Sequence, residues 1–87
     1  DQHAGERGYR KLARLAAAVV APGGVMFIAS CSHSVAPEAF AKLVAAGLRD
    51  ARRTGRILRM SGADVDHPVH PNLPESGYLK ALTLQLD

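Results

Sequence analysis

The stretch Pro22-Gly23-Gly24-Val25-Met26-Phe27-Ile28-Ala29-Ser30-Cys31-Ser32 decides how the rest of the chain is read. Pro22 cannot continue a helix and glycine tolerates a left-handed turn, so residues 21–24 close whatever helix precedes them. Val25 to Ala29 is a continuous apolar run without alternation, ended by Ser30. A strand buried on both faces reads this way, as in a parallel sheet covered by helices. Cys31 follows at once, beyond the carboxyl end of the strand, where open α/β sheets place their ligands.

Upstream, from Glu6, the residues Tyr9, Leu12, Ala13, Ala16, Val19 and Val20 recur at helical spacing. Arg7, Lys11, Arg14 and Ala18 occupy the opposite side. Downstream, Cys31-Ser32-His33-Ser34 is a polar break, and Pro37 with Glu38 suits the first turn of a second helix. Phe40, Leu43, Val44, Gly47, Leu48 and Ala51 form its apolar stripe, and Gly55 is the expected stop. Ile57 to Met60 reads as a short strand. Residues 62–77, with Pro68, Pro71 and Pro74, form a long irregular stretch. A loop of that length in a small domain is functional or disordered. Tyr78 to Leu86 is a half-buried strand, with Leu82, Leu84 and Leu86 on one face and Thr83 and Gln85 on the other.

The expected order is therefore αβαββ. The first strand, second helix and second strand make a right-handed βαβ unit with two parallel strands, and the last strand runs antiparallel beside them. Three strands with attached helices are a piece of a doubly wound α/β sheet, with further strands expected elsewhere.

Composition sets the limits. Eighty-seven residues hold at most one domain, and 47% hydrophobic content is that of a folded chain. A single cysteine excludes an intrachain disulfide and a multi-cysteine zinc site, and it suits a reducing, cytoplasmic setting. The longest apolar run, Leu15 to Ala21, falls far short of the roughly 20 residues that span a membrane, so no membrane partner is expected. The start Asp1-Gln2-His3 lacks both Met and a signal-peptide pattern, as expected of a chain processed or cut from something longer. Residues 1–61 carry ten Lys/Arg against four Asp/Glu, and residues 62–87 carry one against four. A basic body of this kind attracts a polyanion such as RNA, or is simply a pair of solvated Arg-rich helix faces.

Three constellations could carry chemistry. Cys31 precedes a helix whose N-terminal dipole favours a thiolate, although a lone cysteine also serves as a small buried hydrophobe. His67 and His70, beside Asp64 and Asp66, offer metal-type ligands on a loop, but without the fixed spacing or fourth ligand of a structural zinc site. Cys31, His67 and Asp66 have the residue types of a thiol-hydrolase triad. No glycine-rich phosphate loop is present, since Gly23-Gly24 precedes a strand instead of following one.

Taken in order, Pro22-Gly23-Gly24, the apolar strand, Ser30-Cys31-Ser32 and Phe40 in the next helix resemble the later half of class I S-adenosylmethionine-dependent methyltransferases. Asp66-His67-Pro68-Val69, Pro74-Glu75-Ser76-Gly77 and Tyr78-Leu79-Lys80 narrow the resemblance. They are similar to motifs of the ribosomal RNA large-subunit cytosine-C5 methyltransferases whose full chains carry an N-terminal PUA domain. The likeness runs from about Gly8 to the end of the chain.

The resemblance implies the C-terminal fragment of a class I, Rossmann-like methyltransferase sheet, covering its strands five to seven. It implies that Ser30-Cys31-Ser32 carries the catalytic cysteine, whose thiolate adds to C6 of cytosine and makes C5 nucleophilic. It implies S-adenosyl-L-methionine as cofactor and ribosomal RNA as partner, with the target base leaving its stack. Asp66, His67, Pro68, Tyr78 and Lys80 fall on family motifs and are placed at the pocket rim; Lys80 also reads as decoration of a sheet edge. Arg49, Arg52, Arg53, Arg56 and Arg59 are phosphate-contact candidates or a solvated face.

The chain departs from the family pattern in lacking its cofactor-binding glycine motif and its Asp-Pro-Pro motif. Ala36 also stands where the family commonly has a Ser or Thr helix cap, leaving Ser34 as a substitute. The isolated chain is expected to be inactive. Its open sheet edge at Val25–Ser30 is expected to favour a homodimer or a shift of the first helix. A cysteine-dependent hydrolase and a non-enzymatic RNA-binding module are the competing readings.

Overall fold

The structure, a computed structural model, describes residues 2–32, 34–62 and 79–87, with residues 2–4 as backbone only. Helix α1 spans Gln2–Val19, strand β1 Val25–Ser30, helix α2 Pro37–Asp50, strand β2 Gly55–Gly62 and strand β3 Lys80–Leu86. The αβαββ order of the sequence reading is present. No helix among the described residues is long and apolar enough to cross a membrane.

The sheet has the order β1-β3-β2. β3 pairs antiparallel with both neighbours, Ser30 and Gly62 lying opposite Lys80 from either side. β1 and β2 thus run in the same direction, as expected of a βαβ pair, but β3 lies between them. The expectation that the last strand sits beside a contiguous parallel pair is corrected. An alternating strand with Leu82, Leu84 and Leu86 on its core face is the best-buried strand here, and the centre of a sheet is where such a strand belongs.

Both helices cover one face. Ala13 and Ala17 of α1, Phe40, Val44 and Leu48 of α2, Met26 and Ile28 of β1 and the three leucines of β3 form one core. On the opposite face no described element packs, and Val25 is 58% and Phe27 65% exposed. The continuous apolar run of β1 predicted burial on both faces, whereas among the described residues its burial alternates. The apolar pattern records that both faces avoid water, and the described residues cover only one of them.

The buried stripe of α1 also differs from the expected one. Ala13 and Ala17 are fully buried, whereas Leu12, Leu15 and Val19 are exposed. Small side chains face the partner because the two helices come close. A Cβ at Gly47 of α2 would lie 2.5 Å from the Arg10 carbonyl oxygen and 2.6 Å from Ala13 Cβ. Phe40 and Tyr9 meet edge to face across this contact, ring centroids 5.6 Å apart.

The helix ends are held by specific groups. Ala36 caps α2 without a side-chain hydrogen bond, and the Ser34 hydroxyl lies 2.8 Å from that of Ser32. At the other end Arg52 takes the left-handed conformation, with φ of 57°. The Arg53 N–H reaches the Leu48 carbonyl and the Arg52 N–H that of Arg49, both at 2.9 Å. These two bonds are a Schellman motif, so Arg52 ends α2 and the expected stop, Gly55, instead opens β2. Arg53 then closes α1. Its Nη1 donates to the carbonyls of Ala17 and Val20, both at 2.7 Å, and its Nε to Asp87 at 2.8 Å.

Candidate active site

Cys31 is exposed, directly after β1. The buried-hydrophobe reading of this cysteine therefore does not describe the structure. The turn that carries it is anchored from three sides. Ser30, the last residue of β1, is buried, and its hydroxyl donates to the Tyr9 hydroxyl of α1 at 2.6 Å. The Ser32 N–H donates back to Ser30 Oγ at 3.2 Å, closing a tight loop around Cys31. The Ser34 N–H donates to Ser32 Oγ at 3.3 Å, which carries the ordering on toward α2.

The third anchor is Lys80. It opens the central strand opposite Ser30 and is 6% exposed, so the reading of Lys80 as edge decoration is corrected. Its Nζ donates to the Ser32 carbonyl at 2.8 Å. Burial pushes the Lys80 ammonium below its ordinary range, while the neighbouring Cys31 acts in the opposite sense. The ammonium is thus bonded to the residue that follows Cys31.

Ser30, Cys31, Ser32 and Lys80 are thus brought together at one end of the sheet. Asp66, His67, Pro68 and Tyr78, placed at the pocket rim by sequence, lie outside the described residues, as does His70 of the metal reading. In the sequence Tyr9 belongs to an apolar stripe. Its hydroxyl is the feature that the periodicity could not report, because a stripe records the ring and not its polar tip.

The five arginines separate into different environments. Arg53 is mostly committed inside the fold, its side chain 16% exposed and its guanidinium shared among α1 carbonyls and Asp87. Arg56 donates to the Gln85 side chain at 2.8 Å. Arg49 and Arg52 are exposed at the end of α2, and Arg59 is exposed on β2. A shallow groove of about 320 Å³, lined by Thr54, Gly55, Arg56, Gln85, Leu86 and Asp87, lies at the opposite end of the sheet from Cys31.

The glycine turn before β1 does not suit a cofactor. The Gly23 N–H donates to the Leu86 and Asp87 carbonyls at 3.1 and 3.0 Å, and the Gly24 N–H to Ala21 at 2.8 Å. These donors join the turn to β3. Neither is left free to cradle an adenosine group.

No family model matches the chain. It is 39% identical over 79 residues to Ribosomal RNA large subunit methyltransferase I of Aeromonas salmonicida (strain A449), an alignment covering 91% of this chain and 20% of that protein. It is 41% identical over 76 residues to the protein of the same name from Pseudoalteromonas atlantica, covering 87% of this chain and 19% of the relative. The counterpart in Tolumonas auensis is 37% identical over 79 residues. The chain spans about a fifth of the length of the curated relatives it matches. Over nearly its whole length, then, the chain is similar to one segment of proteins named as ribosomal RNA large-subunit methyltransferases.

Proposed function

We propose that this chain is the C-terminal part of a catalytic domain that methylates C5 of cytosine in ribosomal RNA, with Cys31 as its nucleophile. The observation that carries the reading is an exposed thiol on a turn pinned at the carboxyl end of β1, within a segment similar to ribosomal RNA methyltransferases. A pyrimidine C6 is a weak electrophile, and a positioned thiolate is the side chain suited to attack it.

In this reaction the Cys31 thiolate forms an S–C6 bond, and the C5–C6 π pair moves to C5, which becomes nucleophilic. Once C5 carries the new methyl group, its proton leaves as a base accepts it. The C5–C6 double bond re-forms and the thiolate departs. The task of this chain is to hold the sulfur exposed and fixed at C6. Ser30, Ser32, Tyr9 and Lys80 do so by hydrogen bonds to the turn. S-adenosylmethionine supplies the methyl group from residues elsewhere in the longer protein, and no step of it is assigned to this chain. Of the basic residues, Arg49, Arg52 and Arg59 are exposed and suit phosphate contacts, whereas Arg53 serves the fold.

The test is Cys31→Ala in the longer protein. C5 methylation should fall by at least about a thousandfold, and the denaturant-resistant adduct with 5-fluorocytosine RNA should disappear. Full activity in that variant would overturn the assignment. The 87-residue chain alone is expected to bind no S-adenosylmethionine, and a saturating calorimetric titration would contradict this.

A further inference from the structure

We propose that Lys80 is a positioning residue for Cys31: its buried ammonium locks the Ser32 carbonyl and places a fixed positive charge beside the sulfur. The inference rests on reading Cys31 as the nucleophile.

Three observations on the backbone and side chain converge. Lys80 is paired on both sides, to Ser30 of β1 and Gly62 of β2, so its backbone is held from both neighbours. The residue is almost fully buried, a rare state for a lysine. Its Nζ ends on the carbonyl of Ser32, the residue immediately after Cys31. Among the described residues no carboxylate pairs with it. The ammonium therefore ends on the peptide carbonyl that directly follows Cys31 along the chain.

Among the described residues, desolvation works against this arrangement. A buried ammonium costs desolvation, and an apolar side chain of similar length is commonly neutral or stabilising in its place. The return is found at the sulfur. Negative charge on Sγ develops beside a cation that is already oriented, so no reorganisation is needed when the thiolate forms and when it departs. The bond to the Ser32 carbonyl keeps that turn from swinging the sulfur away. Ser30 and Tyr9 fix the turn from the helix side, and Lys80 fixes it from the sheet side.

The experiment uses the fact that Cys31 is the sole cysteine, so alkylation of the 87-residue chain by iodoacetamide reports this thiol alone. Rates are compared at neutral pH for Lys80→Met, Lys80→Gln and Lys80→Arg. Each is normalised to the same variant in urea, with circular dichroism reading the fold. Lys80→Met and Lys80→Gln should alkylate about fivefold to tenfold more slowly than the parent chain, the scale of one nearby charge acting on an exposed thiol through a water-like dielectric of about 80. Their melting temperatures should be unchanged or higher, which a merely structural lysine would not give. Lys80→Arg should restore the rate to within about twofold, since it keeps both donor and charge.

A parental rate in Lys80→Met or Lys80→Gln, or a Lys80→Arg as slow as Lys80→Met, would overturn the proposal. If Lys80→Met does not fold, the Gln and Arg variants decide in the same way. The assay needs neither RNA nor cofactor. Its failure removes the role of Lys80 and leaves the nucleophile assignment to the Cys31→Ala test.

Discussion

Replacing Gly47 by alanine should destabilise the chain, although helix propensity alone says the opposite. In a helix interior alanine is favoured over glycine by about 1 kcal/mol. Gly47, however, lies where α2 meets α1. The added Cβ would stand 2.5 Å from the Arg10 carbonyl oxygen, 2.6 Å from Ala13 Cβ and 2.9 Å from the Arg14 nitrogen. Carbon atoms pack best at roughly 3.5–4.0 Å, so α1 must retreat by about 1 Å. Two of the three obstructing atoms are backbone, which no rotamer change can move. Overpacking of a rigid core costs about 1–3 kcal/mol, and this contact belongs at the upper end.

The retreat would also loosen the packing of Ala13, Ala17, Phe40 and Val44, all of them buried. Net of propensity, Gly47→Ala should cost about 2 kcal/mol, a fall of about 8–16 °C in melting temperature for a domain of this size. Gly8, on α1, is the control, because a Cβ there meets nothing within 4 Å. Gly8→Ala should gain about 0.5–1 kcal/mol. Thermal and urea unfolding followed by circular dichroism measures both. If Gly47→Ala melts at or above the parent chain, the inferred close approach of the helices is wrong.

Two further outcomes follow from the charged groups. Arg53→Met strips the C-terminal carbonyls of α1 of a cationic donor, and should cost about 2 kcal/mol in urea unfolding; a change under about 0.5 kcal/mol, the range of ordinary surface substitutions, would count against this role. Hydrogen bonding from Arg10 and Arg53 holds the Asp50 and Asp87 carboxyls below their ordinary value of 3.8. A carboxyl depressed in the folded state contributes stability above its unfolded pKa and loses it as pH falls through the folded one. Melting temperature should therefore decline in acid below about pH 5 and less steeply in an Asp50→Asn, Asp87→Asn double variant, a difference that added salt reduces. Identical acid limbs would refute the linkage.

The functional proposal depends on features of very different legibility. Cys31 at the end of an apolar strand was visible in sequence, because a polar break after a continuous apolar run marks a strand end. That it is exposed, and on a pinned turn, was not. Lys80 shows the gap most clearly. In sequence it is a charged residue at the start of a strand, and nothing local distinguishes a sheet edge from a sheet centre. Its carbonyl partner lies 48 residues away along the chain.

The sequence by itself determined the αβαββ order, the stripe of Phe40, Val44 and Leu48 and the two faces of β3. These depend on periodicities of 3.6 and 2 that any short window contains. Tertiary structure alone decided that β3 runs between β1 and β2, that small residues line the helix contact, and that Arg52 ends α2. It also decided that Arg53 closes a helix whose carbonyls lie 33 and 36 residues upstream. The reason is physical. A side-chain pattern states which face of an element avoids water. Which strand satisfies a backbone, and which donor reaches a carbonyl, is settled only when distant segments compete for the same place.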